Sequence, residues 1–178
     1  NTFTAYDQEH PSITALTDGG FVVAWESYGQ DLSYYGVYAQ MYNADGTTQG
    51  SEFQVNTVTT NYQWYPSITA LTDGGFVVTW RQDGSGDGVY AQMYNADGTT
   101  QGSEFQVNTV TANDQENPSI TALTDGGFVV TWASYGQDGH GDGVYAQMYN
   151  ADGTTQGSEF QVNTVTANDQ ENPSITAL

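Results

Sequence analysis

The sequence has no cysteine and no lysine, and a single arginine, Arg81, is its only permanent side-chain cation. Without cysteine there can be no disulfide, no thiolate nucleophile and no thiolate metal site. One cation stands against 21 acidic residues, which leaves a formal charge of −20. Such a surface repels nucleic acid and anionic membranes, because both are bound through positive charge. It attracts cations. Long apolar runs are also missing. The longest clear one, Phe21 to Trp25, falls far short of the roughly 20 residues that cross a bilayer as a helix. No membrane insertion is therefore expected. The first ten residues, NTFTAYDQEH, carry neither the basic nor the apolar region of a secretory leader. No Asn-x-Ser/Thr sequon occurs, since Asn117 and Asn172 each precede proline.

Aromatic side chains are plentiful: 13 Tyr, 7 Phe and 4 Trp. Acidic disordered chains are poor in aromatics, so this acidic chain is expected to fold. Glycine, threonine, valine and tyrosine dominate and no stretch shows helical period, which is a β composition. Repetition is the strongest signal. YAQMYNADGTTQGSEFQVNT occurs unchanged at 38–57, 90–109 and 145–164. PSITAL begins at Pro11, Pro66, Pro118 and Pro173, a period of 52 to 55 residues.

One unit reads as four short strands. The first is SITAL (Ser12–Leu16), closed by a tight TDGG turn in which glycine supplies positive φ. FVVAW (Phe21–Trp25) follows and is apolar on both faces, as a doubly covered strand would be. After a variable loop come VYAQMYN (Val37–Asn43), the turn ADGTTQG, and EFQVNT (Glu52–Thr57), whose alternation suits a half-solvated strand. Four strands per 52 to 55 residues, graded from crowded to solvated, predict an all-β fold of four-stranded antiparallel repeats. The expected architecture is β-propeller blades or a propeller-like array, with the first strand innermost and the fourth at the rim. A β-solenoid and a stack of small sandwiches are the competing architectures. The expected divisions are a link at 1–10, repeats at 11–65, 66–117 and 118–172, and the first strand of a fourth repeat at 173–178. Propellers close with about four to eight blades. Three repeats therefore predict either an excerpt of a longer array or self-association that completes a ring.

The segment DGGFVVTWASYGQDGHGDGVYAQMYNADGTTQGSEFQVNT (Asp125–Thr164) resembles the tandem repeats of very large bacterial surface and secreted proteins. Many of those also carry hemolysin-type calcium-binding or adhesin segments. The resemblance covers essentially the whole chain. It implies an extracellular, adhesive or matrix-forming protein without enzyme activity. The calcium-binding nonapeptide GGxGxDxUx of such proteins is not present here.

The copies differ at one end only. In a four-stranded meander the first and third turns share one end, and here both are identical in every copy. The second connection reads ESYGQDLSYY, RQDGSGD and ASYGQDGHGD, and the link before the first strand reads VTTNYQWY in one place and VTANDQEN in two others. Loops carry function on rigid scaffolds, so this diversified end is the expected binding end. Neutral drift would produce the same pattern.

Three site types follow. Asp83 with Asp87 and Asp138 with Asp142, four apart in glycine-rich loops, offer the oxygen donors that Ca²⁺ needs, although Asp and Gly also favour metal-free turns. Tyr62, Trp64, Tyr65 and Arg81 offer a patch for sugar rings and hydroxyls. Trp80, by contrast, reads as packing, because Trp25 and Trp132 hold the same place. Catalysis is excluded on the ground that neither His10 nor His140 recurs between copies. The resulting expectation is a non-enzymatic extracellular module with a structural, adhesive or self-assembling role. The alternative is a lectin-like carbohydrate-binding propeller that uses the variable end, with glycans as partners.

Overall fold

The computed structural model describes residues 1–84 and 88–178. It contains twelve strands. β1 (Gln8–Ala15), β2 (Phe21–Tyr28), β3 (Tyr35–Tyr42) and β4 (Thr48–Gln54) form the first sheet. β5 (Gln63–Ala70), β6 (Phe76–Gln82), β7 (Gly88–Tyr94) and β8 (Thr100–Gln106) form the second. β9 (Gln115–Ala122), β10 (Phe128–Tyr135), β11 (Asp142–Tyr149) and β12 (Thr155–Gln161) form the third. Each sheet is an antiparallel meander in chain order. The fold is all-β, a propeller-like array of four-stranded blades.

Strand limits differ from those read in the sequence, for identifiable reasons. The first strand of each blade begins four residues early and runs through its proline. Proline cannot donate to a ladder, but the register shifts between Glu9 and Ser12 and between Trp64 and Ser67. That bulge leaves the prolines unpaired. The fourth strand begins earlier as well, because the preceding turn is short: Asn43 N–H donates to the Thr47 carbonyl at 2.8 Å.

The blades pack face to face through two apolar cores built from the same residue types. One joins Val22, Ala24, Val37, Ala39, Met41 and Val55 to Ile68, Phe76, Val78, Trp80 and Tyr94. The other joins Val77, Val89, Ala91, Met93 and Val107 to Ile120, Phe128, Val130, Trp132 and Tyr149. The innermost strands also explain why PSITAL alternates hydroxyl and apolar side chains. Ser12 Oγ and Thr14 Oγ1 accept the N–H groups of Ile68 and Ala70 at 3.3 and 3.1 Å. Ser67 and Thr69 accept those of Ile120 and Ala122 at the same distances. An exposed strand edge must satisfy its backbone groups somewhere. Here hydroxyls of the neighbouring blade do so. Residues 173–178 are not a strand, yet Ile175 and Ala177 dock on Ser119 and Thr121 through the same two bonds.

Candidate functional site

At the start of each innermost strand the residue before proline takes a left-handed backbone: His10 (φ 48°), Tyr65 (φ 53°), Asn117 (φ 50°) and Asn172 (φ 52°). Asparagine tolerates this conformation, whereas a bulky residue is strained in it. The four residues, each with its proline, line one cleft of about 360 Å³ where the innermost strands converge. Bulges commonly re-aim a side chain beside a site. Here they bring His10, Tyr65 and Asn117, a different residue from each full blade, to one place beside Asn172.

A row of aromatic rings leads to this cleft. Tyr34 stacks on Tyr62 with centroids 4.5 Å apart, Tyr62 on Trp64 at 4.9 Å, and Trp64 on Tyr65 at 5.8 Å. His10 then meets Tyr65 edge-on at 4.8 Å. The row spans the seam between the first two blades. Its outer members Tyr34 and Tyr65 are exposed, and the inner ones are half-buried.

The residue after each strand-two tryptophan, namely Glu26, Arg81 or Ala133, lies beside the row or its counterpart. Arg81 Cζ sits 5.2 Å from the centre of the Trp64 ring, a cation–π contact. Its Nη1 bonds Glu116 of the next blade, and its Nη2 lies 3.1 Å from Asp83 and 3.5 Å from Asp114. Glu26 is 2% exposed and also reaches the next blade, where it accepts the Tyr65 N–H at 2.5 Å. Its Oε1 is 3.0 Å from His10 Nδ1. Burial raises the Glu26 pKa above the usual carboxylate value, and the Tyr65 N–H and His10 act against that rise.

The structure thus brings Tyr62, Trp64, Tyr65 and Arg81 together. The acidic loop residues are placed differently. Asp83 pairs with Arg81, and Asp87 lies outside the described residues. Asp138 accepts the His140 N–H at 3.1 Å and the Gln161 amide at 3.2 Å. Asp142 sits in β11, its carboxyl pKa raised by burial and then by Glu171, Glu116, Asp169 and Asp114. Among the described residues, the group of metal-ligating side chains that clusters is Glu9, His10 and Glu26. His10, which does not recur between copies, and Glu26 and Tyr34, which no motif marks, are not legible as site residues from recurrence or motif alone. The usable signal was that residues 10 and 26 flank the invariant Pro11 and Trp25 yet change identity in every full blade.

Neither a protein-family model nor a curated protein matches the sequence. Solved structures do match its fold. A Hadza microbial sialidase aligns with TM-score 0.61 and 11% identity over 83% of this chain and 36% of its own. A thermostable family-43 glycoside hydrolase aligns with TM-score 0.58 and 11% identity over 88% and 60%. The endo-arabinase from Bacteroides thetaiotaomicron aligns with TM-score 0.53 and 14% identity over 86% and 61%. The shared fold is the β-propeller. The chain spans between about a third and three fifths of the length of these structures.

Two expectations are corrected by this finding. The first is the structural, adhesive or self-assembling role. The matching propellers are named as a sialidase, a family-43 glycoside hydrolase and an endo-arabinase, which favours the carbohydrate-directed alternative. The second is the exclusion of an enzyme, which the same neighbours overturn. Its premise was that a catalytic group should recur in every copy. Around a shared axis that premise fails, because each blade contributes a different residue to one cleft.

Proposed function

We propose that the protein binds carbohydrate at the variable end of its blades, along the aromatic row and into the cleft between the innermost strands. The observation that carries this reading is the row itself: Tyr34, Tyr62, Trp64 and Tyr65 stack in sequence and end at a cleft. Aromatic faces supply rigid apolar area at low entropic cost, which suits the C–H faces of sugar rings. Arg81, Asp114 and Asn117 supply donors and acceptors for hydroxyls beside them. Glu9, Glu116 and Glu171 directly precede the cleft residues His10, Asn117 and Asn172 in the chain, so neutral sugars are favoured over sialylated or uronic ones by like-charge repulsion. The repeat resemblance supports an extracellular or cell-surface setting, where such glycans are met.

A glycan array followed by calorimetry tests the proposal. Neutral polysaccharide should bind, and Trp64→Ala should weaken binding at least about tenfold, or 1.4 kcal/mol, while leaving the fold intact. Binding that is unchanged in Trp64→Ala, or no binding to any glycan, overturns it. Release of reducing ends from a retained polysaccharide separates cleavage from binding.

A further inference from the structure

We propose that Glu9, His10 and Glu26, of which His10 also lines the cleft, form a binding site for one divalent cation of the zinc class. Each side chain offers one donor atom, and the three donors lie within 4.8 Å of one another. His10 Nδ1 and Glu26 Oε1 are 3.0 Å apart. Tetrahedral zinc with bonds near 2.0–2.2 Å sets its ligand atoms roughly 3.3–3.6 Å from each other, so a small outward shift admits the ion. Glu9 is exposed, and its carboxylate accepts a long hydrogen bond, 3.4 Å, from the Tyr35 hydroxyl.

The second blade gives an independent reason. At the position of Glu26 it carries Arg81, whose guanidinium pairs with Asp83, Asp114 and Glu116. There the chain supplies the positive charge of the node from within. The first blade places a buried carboxylate at that position, adds Glu9, and offers only the His10 imidazole where the second blade has an arginine. A buried charge is costly unless it is paired or bound to a metal. A dication at this node does for the first blade what Arg81 does for the second.

The donor set decides the class of ion. Calcium and magnesium take oxygen ligands, six to eight for calcium, whereas imidazole nitrogen with carboxylates suits zinc and its neighbours. Three protein ligands leave a coordination position for water or another ligand. The site stands apart from the aspartate loops, and its readout is metal binding rather than glycan binding.

Calorimetric titration of the whole chain with Zn²⁺, in millimolar Ca²⁺ to occupy diffuse surface sites, tests the proposal. One Zn²⁺ should bind per chain. His10→Ala and Glu26→Gln should each weaken it about a hundredfold or more, since even indirect supporting partners of a metal site cost 10–100-fold. Glutamine keeps an acceptor for the Tyr65 N–H, so the Glu26 variant retains that backbone contact. His140→Ala should leave the affinity unchanged. Co²⁺ should bind with the intense visible absorption of a four-coordinate ion, and that band should vanish in His10→Ala. Zinc affinity unchanged in His10→Ala, loss only in His140→Ala, or full displacement of Zn²⁺ by Ca²⁺ overturns the site.

Discussion

The two ends of the blades obey different rules. At the uniform end the turn contacts recur within each blade. Asp18, Asp73 and Asp125 accept the N–H of the glycine two residues on, at 2.8–3.0 Å. Phe21, Phe76 and Phe128 stack on Tyr42, Tyr94 and Tyr149, with centroids 4.8 Å apart in all three blades. Asp45, Asp97 and Asp152 each bind a threonine hydroxyl at 2.6 Å. At the variable end the distinctive contacts cross between blades. Glu26 reaches Tyr65, Arg81 reaches Glu116, and Tyr34 reaches Tyr62. A contact inside a repeat can be copied with the repeat. A contact between repeats depends on what the neighbour carries, and it can be made different at each seam.

The comparison can be broken from either side. The largest effect is expected from Phe76→Ala, which empties a fully buried position in the inter-blade core. It should lower stability by about 3–5 kcal/mol in urea denaturation, and glycan affinity per folded molecule should not change. A change in that affinity would join the two ends. Arg81→Met keeps the apolar stem and removes the charge from a largely buried node. A loss of about 1.5–3 kcal/mol is expected from its charge-assisted hydrogen bonds, together with weaker glycan binding. Gly75→Ala probes the tight turn, where an added Cβ would overlap the Tyr94 carbonyl oxygen. A loss of about 1–3 kcal/mol is expected, again with binding unchanged. Tyr34→Ala removes an exposed ring and should cost under about 0.5 kcal/mol of stability, while weakening binding severalfold by calorimetry.

The smallest effect is expected from acid. The threonine hydroxyl, followed by the threonine backbone N–H, holds Asp45, Asp97 and Asp152 below their ordinary value of 3.8. A carboxyl with a lowered folded-state pKa stabilises fully above its unfolded value and loses that contribution as pH falls through the folded one. These three turns should therefore contribute unchanged from pH 7 to 5 and weaken only below 3.8. Denaturation of the triple Asp→Ala variant across that range should show a shallower loss in acid than the parent chain.

Much of the blade was legible from the residues. The run FVVAW predicts a doubly covered strand; its counterpart in the middle blade is fully buried at Phe76, Val77, Val78 and Trp80, whereas Phe21 and Val23 of the first blade are half-buried. Tyr62, Trp64, Tyr65 and Arg81 were found from the contrast between copies. The bulge at each x-Pro pair was not legible, because proline ordinarily argues against a strand interior. Nor was the pairing of Glu26 with Tyr65, which lie 39 residues apart. Recurrence was used to dismiss His10, and that test applies to groups each repeat needs, not to a cleft that repeats share.

The sequence by itself determined the blade. Period-two alternation, tight-turn residues and threefold repetition specify local hydrogen bonds and core faces that one repeat can form with any like neighbour. Only the tertiary structure decided the site. Four x-Pro positions more than 50 residues apart meet because the innermost strands pack side by side. Their side chains then face each other across seams that no linear pattern encodes.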